Sequence, residues 1–482
     1  MSLRILLCAS EVVPFVKTGG LADVAGALPK ALVALGHEVR VALPKYASID
    51  SKQIASKKAS APFDVPLAGK ATSVSMEVSE AIPGVKAYLV DSPKQFARKQ
   101  VYGEPDDAER FALFCRAVLE FLRRDDWRPQ VIHVNDWQTG LLPVYLKTKY
   151  RSDRTLAPIA TLYTVHNLGY QGVFDPEALA RVGLDRSLFT MNGLEFYGQV
   201  SLMKGGLIFA DLLSTVSQTY SREIQTPEYG ERLEGVLAKR QGDLFGVLNG
   251  IDYEEWNPAT DPLLAANYDR DNLEPKATNK VALQGRLGLP ERPDVPVFGL
   301  VSRLAAQKGL DILAEVMPHL LQLDVQFALL GTGEQQYHAL LANLAKRFPT
   351  KLGLVLGFDN ALAHQIYAGA DFFLMPSHYE PCGLGQMISL RYGTIPIVRH
   401  TGGLADTITD FNPTAGEGNG FSFREHTAVG LFGAIARALL TMKAQPARQR
   451  LIQNAMACDL SWGRSAQAYV RLYQRALERH RS

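Results

Sequence analysis

Glu380 sits where a carboxylate has a definite chemical use. The stretch Ser377-His378-Tyr379-Glu380-Pro381-Cys382-Gly383-Leu384-Gly385-Gln386 follows an apolar run, Phe372 to Met375, and leads into an apolar-periodic segment, Leu384 to Tyr392. That order reads as a buried strand, a tight turn and a helix opening on glycines. Unpaired N–H groups and the helix dipole at such an opening favour a phosphate. A carboxylate beside a phosphate is repulsive unless a cation or a sugar lies between them, so a sugar phosphate is the natural ligand. Upstream, Arg303 and Lys308 lie five residues apart on a loop after the apolar run 297–301. Arg as a fork and Lys as a point charge suit a diphosphate, although cations on loops are commonly just solvated. Gly331-Thr332-Gly333 is a weaker fragment of the same kind of loop.

A second set of polar residues falls in the first half. Val131-Ile132-His133-Val134 runs into Asn135-Asp136-Trp137, and Thr161 to Val165 runs into His166-Asn167. Ligands bind beyond the carboxyl ends of parallel strands. His133, Asp136, His166 and the Lys17 loop are therefore expected at one sheet edge. Singly, each reads as a strand cap; several together reverse that reading. The hexapeptide Thr18-Gly19-Gly20-Leu21-Ala22-Asp23 recurs letter for letter as Thr401-Gly402-Gly403-Leu404-Ala405-Asp406. Each copy opens a helix, and paired glycines let backbone N–H groups approach an anion or hydroxyl.

These residues need a scaffold, and the chain supplies two. At 482 residues it exceeds a single core. Ile5 to Ala9 is a buried strand, Leu21 to Leu35 has helical spacing stopped by Gly36, and Val39 to Leu43 alternates as the next strand. Arg110 to Arg124 and Leu202 to Arg222 read as helices. Residues 256–296 are rich in Pro, Asp and Asn around a short helix at 280–287, and a clean βα alternation then restarts. Strands are expected at 297–301, 325–330, 352–356, 372–375 and 395–398. The fold class is α/β with two Rossmann-like, doubly wound domains facing across a deep cleft. Their bounds are 1–250 and 251–460. The segment 461–482 is a helix expected to pack back on the first domain.

Composition narrows the function. Lys and Arg number 51 against 49 Asp and Glu, with no basic run, which argues against nucleic acid. The four cysteines, Cys8, Cys115, Cys382 and Cys458, are scattered, so no disulfide framework or metal site is suggested. No signal-peptide layout or uncharged span of membrane length is present, so no membrane partner is expected and the protein is expected to be cytoplasmic. No Gly-x-Gly-x-x-Gly follows the first strand, which counts against a nicotinamide enzyme. Oligomeric state is not encoded in any of these features.

Lys17-Thr18-Gly19-Gly20-Leu21, Asn135-Asp136-Trp137, Val165-His166-Asn167, Asn249-Gly250-Ile251-Asp252, Ser302-Arg303-Leu304 with Gln307-Lys308-Gly309, Glu380-Pro381-Cys382-Gly383-Leu384 and Thr401-Gly402-Gly403-Leu404 resemble the bacterial glycogen synthase and plant starch synthase family, in order and over nearly the whole chain. The resemblance implies a GT-B fold and retaining transfer of glucose from ADP-glucose to the non-reducing 4-hydroxyl of an α-1,4-glucan, with no metal or other cofactor. It implies that Arg303 and Lys308 neutralise the diphosphate and that the backbone of Cys382, Gly383 and Leu384 adds donors. Glu380 is implied to hold the 3- and 4-hydroxyls of the glucose, and His166 the 6-hydroxyl. Lys17, Gly19 and Gly20 are implied in a closing loop, and Asp23, Asp136, Asn249 and the Thr401-Gly402-Gly403 turn as supporting contacts. The thiol of Cys382 reads better as a small packed group than as a nucleophile. Phe358 falls where relatives carry an adenine-stacking tyrosine, Ile388 where many retaining relatives carry a second Glu, and Gln138 where relatives often have His. Tyr102 is assigned to the acceptor glucan. No carboxylate is evident for double displacement, so same-face transfer is expected. A phosphorylase-like enzyme with a pyridoxal-phosphate lysine, and a non-catalytic glucan-binding relative, remain as alternatives.

Overall fold

The computed structural model describes residues 2–98 and 100–481. The chain forms two compact units. One runs to Gly250 and takes in the segment from Trp462; the other is Ile251–Ser461.

The first unit is built on a ten-stranded sheet. Seven strands are parallel, in the spatial order Leu244–Gly246, Leu212–Thr215, Ala160–Val165, Val131–Asn135, Arg4–Cys8, Glu38–Pro44 and Val85–Asp91. Lys70–Ile82 adds antiparallel at the edge and carries the short strands Phe63–Leu67 and Lys57–Lys58. Every residue of Val131–Asn135 and Ala160–Val165 is buried. Such strands read as continuous apolar runs because both faces are covered. Numbered along the chain, the parallel strands lie 3-2-1-4-5-6-7. The order reverses between Arg4–Cys8 and Val131–Asn135, where the loops leaving the carboxyl ends part and open a crevice.

The expected helix Leu202 to Arg222 is instead three elements: helix Leu202–Phe209, strand Leu212–Thr215 and helix Gln218–Glu223. Leu-Leu-Ser-Thr is too short to show a period of its own. Parallel pairing with a strand on each side decides its conformation.

The second unit has a six-stranded, all-parallel sheet. Its order is Leu352–Leu356, Gln326–Gly333, Val297–Leu304, Phe372–Met375, Ile395–Arg399 and Phe421–Phe423. This is 3-2-1-4-5-6, with the reversal between Val297–Leu304 and Phe372–Met375. The three-residue last strand was not legible in the sequence. The irregular stretch after Ile251 contains the helix Lys276–Arg286.

The final helix, Trp462–Arg481, belongs to the first unit and packs on helix Gly20–Ala34 and strand Ala160–Val165. Trp462, Ala466, Tyr469, Leu472, Tyr473 and Ala476 form its buried stripe. The Tyr473 hydroxyl meets His133 Nδ1 at 2.9 Å, and His133 Nε2 meets Thr164 Oγ1 at 2.7 Å. His133 is fully buried, in the middle of its strand. It is a core residue that ties the last helix to the sheet, so it does not join the polar residues at the sheet edge. Burial holds its imidazole down to about 3. Among the described residues no helix is long and apolar enough to cross a membrane.

At the far end of this helix, His480 Nδ1 lies 3.1 Å from Asp211 Oδ2 and Nε2 lies 2.8 Å from the Ala157 carbonyl. Lys147 also reaches Asp211, at 2.6 Å. The hydrogen bond to Asp211 raises the His480 pKa. Burial pushes Asp211 up, yet His480 and Lys147 hold it down at about 2. His480 therefore contributes fully below its ordinary pKa of about 6.5 and loses that contribution as pH rises through the raised value. Asp211 contributes above its ordinary range and loses this as pH falls toward about 2. His480→Ala should lower stability by about 1 kcal/mol near pH 6, and by less near pH 9, in thermal melts. An equal loss at both pH values would contradict a charged His480.

Candidate functional site

In the second unit, the loops after the first and fourth strands meet at the reversal of strand order. Lys308 Nζ lies 2.6 Å from Glu380 Oε2, and Ser377 Oγ donates to the same oxygen at 3.0 Å. Both charged groups are largely withdrawn from solvent, with 18% and 6% of their side chains exposed. The loops are stitched further by backbone and amide contacts. His378 N–H donates to the Gln307 carbonyl at 2.8 Å, and Gln307 Nε2 to the Tyr379 carbonyl at 3.2 Å. Arg399 donates to the His378 carbonyl. Gly309 is left-handed, at φ +69°, and a Cβ on it would lie 1.9 Å from the Pro376 carbonyl oxygen. Only glycine allows the two loops this approach. Arg303 is exposed, and its guanidinium reaches Gln307 Oε1 at 3.3 Å. The unit thus places two cations and one buried carboxylate at one crevice.

Cys382 is buried and reduced. Its carbonyl accepts from Gln386 Nε2 at 3.0 Å, so the turn into helix Gly385–Arg391 is fixed by a side chain of that helix. Leu384 is the residue capping that helix, and Gly383 precedes it. Phe358 is 86% exposed, two residues past strand Leu352–Leu356, and the intervening Gly357 bonds the Gly331 carbonyl. An aromatic ring so exposed at the carboxyl edge of a nucleotide-type sheet is available for stacking.

In the first unit, His166 Nε2 meets Asn135 Oδ1 at 2.9 Å, and the His166 backbone N–H donates to Asp136 Oδ1 at 2.7 Å. Asp136 and His166 are therefore brought together. Burial lowers the His166 pKa to about 3. Burial raises Asp136 to about 7, with Glu11 adding to the rise, against backbone N–H groups of His166 and Asn167. Lys17 is half exposed and pairs with Asp23 at 2.6 Å. Burial raises Asp23 and Lys17 lowers it, with burial prevailing. Asn249 is buried with its Oδ1 unpartnered among the described residues. Tyr102 does not stand free as an acceptor platform: its hydroxyl bonds Ser10 Oγ at 2.8 Å and its ring tilts against Phe111.

The two glycine repeats also serve the protein's own carboxylate loops. Glu11 is 4% exposed and its Oε2 accepts from Thr18 N–H at 2.5 Å, Thr18 Oγ1 at 2.6 Å and Gly19 N–H at 3.1 Å. An internal carboxylate thus occupies the N–H groups of Thr18 and Gly19. At the second copy Gly403 N–H donates to the Glu380 carbonyl at 3.0 Å. A Cβ on Gly402 would lie 2.0 Å from that oxygen, and one on Gly403 would lie 2.0 Å from the Cys382 carbonyl oxygen. Thr401-Gly402-Gly403 is the bed on which the Glu380 loop lies.

Sequence reasoning missed Glu11, Ser377, Gln307 and Asn135 as site-forming groups. The available signal for Glu11 was an acidic residue set between the apolar run Ile5 to Ala9 and Val12-Val13, since a carboxylate in such company must find donors. Glu11→Ala should leave two backbone N–H groups unmet and cost about 1–3 kcal/mol in denaturant unfolding. It should also cut kcat/KM roughly ten- to a hundredfold, with Glu11→Gln milder in both. Unchanged kinetics in a destabilised Glu11→Ala protein would remove the loop from the site.

Comparisons with known proteins agree with this architecture. The family model described as starch synthase catalytic domain matches residues 4–239, and that described as glycosyl transferases group 1 matches 286–457. The glycogen synthase of Desulforudis audaxviator is 50% identical over 491 residues, covering 99% of this chain and 97% of its own. That of Moorella thermoacetica is 50% identical over 485 residues, covering 100% and 98%. The solved catalytic domain of starch synthase IV from Arabidopsis thaliana, bound to ADP and acarbose, superposes with a TM-score of 0.93 at 35% identity, covering 99% and 100% of the two chains. Sucrose-phosphate synthase from Thermosynechococcus elongatus, at 19% identity and a TM-score of 0.60, shares the fold alone. With two Rossmann-like domains of GT-B type and full-length identity of this degree, the chain belongs to the glycogen synthase and starch synthase family and is a glucosyltransferase of glycogen synthesis.

Proposed function

We propose that the donor is ADP-glucose and that glucose passes, with retained configuration, to the non-reducing 4-hydroxyl of an α-1,4-glucan in the cytoplasm. The observation that carries this reading is the Lys308–Glu380 pair at the strand reversal, with Arg303 not on the loop expected for it but at the carboxyl end of the strand Val297–Leu304 that leads into the Lys308 loop. Two cations at a strand's carboxyl end meet a diphosphate, and a buried carboxylate beside them needs hydroxyl donors once Lys308 turns to phosphate. The ADP and acarbose held by the similar Arabidopsis protein support both halves of the assignment.

In this reading Arg303 and Lys308 matter most as the C1–O bond to phosphate breaks and charge gathers on the leaving diphosphate. Donors around Cys382, Gly383 and Leu384 add to that, and Phe358 stacks on the adenine. Lys17, Gly19, Gly20, Asp23, Asp136 and Asn249 of the first unit are assigned to donor contacts, and in the second unit the Thr401-Gly402-Gly403 turn supports the Glu380 loop. Glu380 accepts from the glucose 3- and 4-hydroxyls and offsets positive charge on an oxocarbenium-like ring. The new bond from the acceptor oxygen forms on the face the phosphate leaves, and the acceptor's proton passes to the departing phosphate oxygen. Glu380 is assigned to the sugar hydroxyls and not as the nucleophile of a double displacement. No metal or cofactor is assigned a step.

Purified protein with a short maltooligosaccharide and ADP-glucose should give a ladder of added hexoses by mass. The ladder should survive dialysis against EDTA, weaken when UDP-glucose replaces ADP-glucose, and fall at least about a hundredfold in rate in Lys308→Ala and Glu380→Ala. A covalent glycosyl adduct on any Asp or Glu would overturn same-face transfer. Extension only with UDP-glucose would overturn the donor.

A further inference from the structure

Asn135 closes strand Val131–Asn135 at the reversal of the first sheet, 1% exposed. Its amide nitrogen donates to two backbone carbonyls, Cys8 at 3.0 Å and His133 at 3.3 Å. Both carbonyls belong to strands flanking the reversal, so the amide cannot turn over without setting its oxygen against them. Oδ1 must then face His166 Nε2 at 2.9 Å, and a carboxamide oxygen can only accept. His166 Nε2 therefore carries the hydrogen. Nδ1, which meets no protein group among the described residues, is left with a lone pair.

We propose that Asn135 is a positioning residue that fixes His166 as its Nε2–H tautomer, so that Nδ1 presents an acceptor to the sugar donor. Resting on the reading of His166 as a glucose contact, this sets the direction of the hydrogen bond. The sugar must bring a hydroxyl hydrogen to Nδ1. A donor with a carboxylate at C6, or with no oxygen there, has none to bring and leaves a half-buried acceptor unmet. The titratable groups around this ring are Asp136, which takes its backbone N–H, His133 on the neighbouring strand, and Glu11, whose charge acts on Asp136. Burial opposes a second proton on His166.

Full-length protein labelled with 15N-histidine tests this without substrate, with His166→Gln used to assign the resonance. The wild-type ring should show a pyridine-type Nδ1 and a pyrrole-type Nε2, unchanged from about pH 6 to about pH 8. A pyrrole-type Nδ1, or titration within that range, overturns the proposal, whatever the enzyme's activity. In Asn135→Asp the new carboxylate should bring His166 titration into this range and make kcat/KM fall about tenfold more from pH 8 to pH 6 than in wild type, where Asp136 titrates without it. A profile no steeper than that of wild type in folded Asn135→Asp also overturns it. If the tautomer is as stated but His166→Ala keeps full kcat/KM, the placement of glucose at His166 fails while the role of Asn135 stands.

Discussion

A buried carboxylate bound to an internal cation is the constraint on which the second unit's site depends. Lys308 and Glu380 are held 2.6 Å apart, mostly out of water, at the point where a parallel sheet reverses its order. Removing either partner would leave a charge stranded in a poorly solvated place. The pair thus requires both loops to be present in one arrangement, and it is this arrangement that Gln307, Arg399, Gly309 and the Thr401–Gly403 turn enforce. The exchange proposed for binding follows from the same physics. A diphosphate offers Lys308 a better partner, and the sugar's hydroxyls satisfy the carboxylate that Lys308 gives up.

The first unit repeats the device with different parts. Its sheet reverses between Arg4–Cys8 and Val131–Asn135, and the loop leaving the first of these carries Glu11. There the carboxylate is satisfied by backbone N–H groups and a hydroxyl rather than by an ammonium group. Glu11 orders the Lys17 loop, while Asn135 and Asp136 orient His166 from the other strand. In both units the groups assigned to the ligand lie on loops whose shape is dictated by other residues packed behind them.

Much of this was legible in the sequence. Strongly apolar segments such as Ile5 to Ala9 and Phe372 to Met375 declared themselves as buried strands because both faces are covered. The Glu380 stretch declared itself by following one. Leu212–Thr215 and Phe421–Phe423 did not, since strands of four and three residues take their conformation from neighbours distant in the chain. The site showed the same division. The identity of His166, Lys308 and Glu380 was readable, but the partner of each was not. Asn135 bonds across 31 residues and Lys308 across 72, and no local pattern announces such a pairing. His133 was misplaced for this reason: its register in the strand, three residues from the loop, sent it to the core and to Tyr473. The repeated glycines were recognised as permitting close approach, while the approaching group proved to be the protein's own Glu11 or Glu380.

The exchange of partners by Lys308 is tested most directly by calorimetric titration of ADP alone into wild-type and Glu380→Gln protein. With the carboxylate neutralised, Lys308 is released from its internal partner and repulsion of the diphosphate is relieved. ADP should then bind roughly two- to fivefold more tightly, as expected for loss of a competing partly screened pair. ADP binding that weakens or stays the same in Glu380→Gln would mean that Lys308 is not held in check by Glu380, and the account of the site would be wrong.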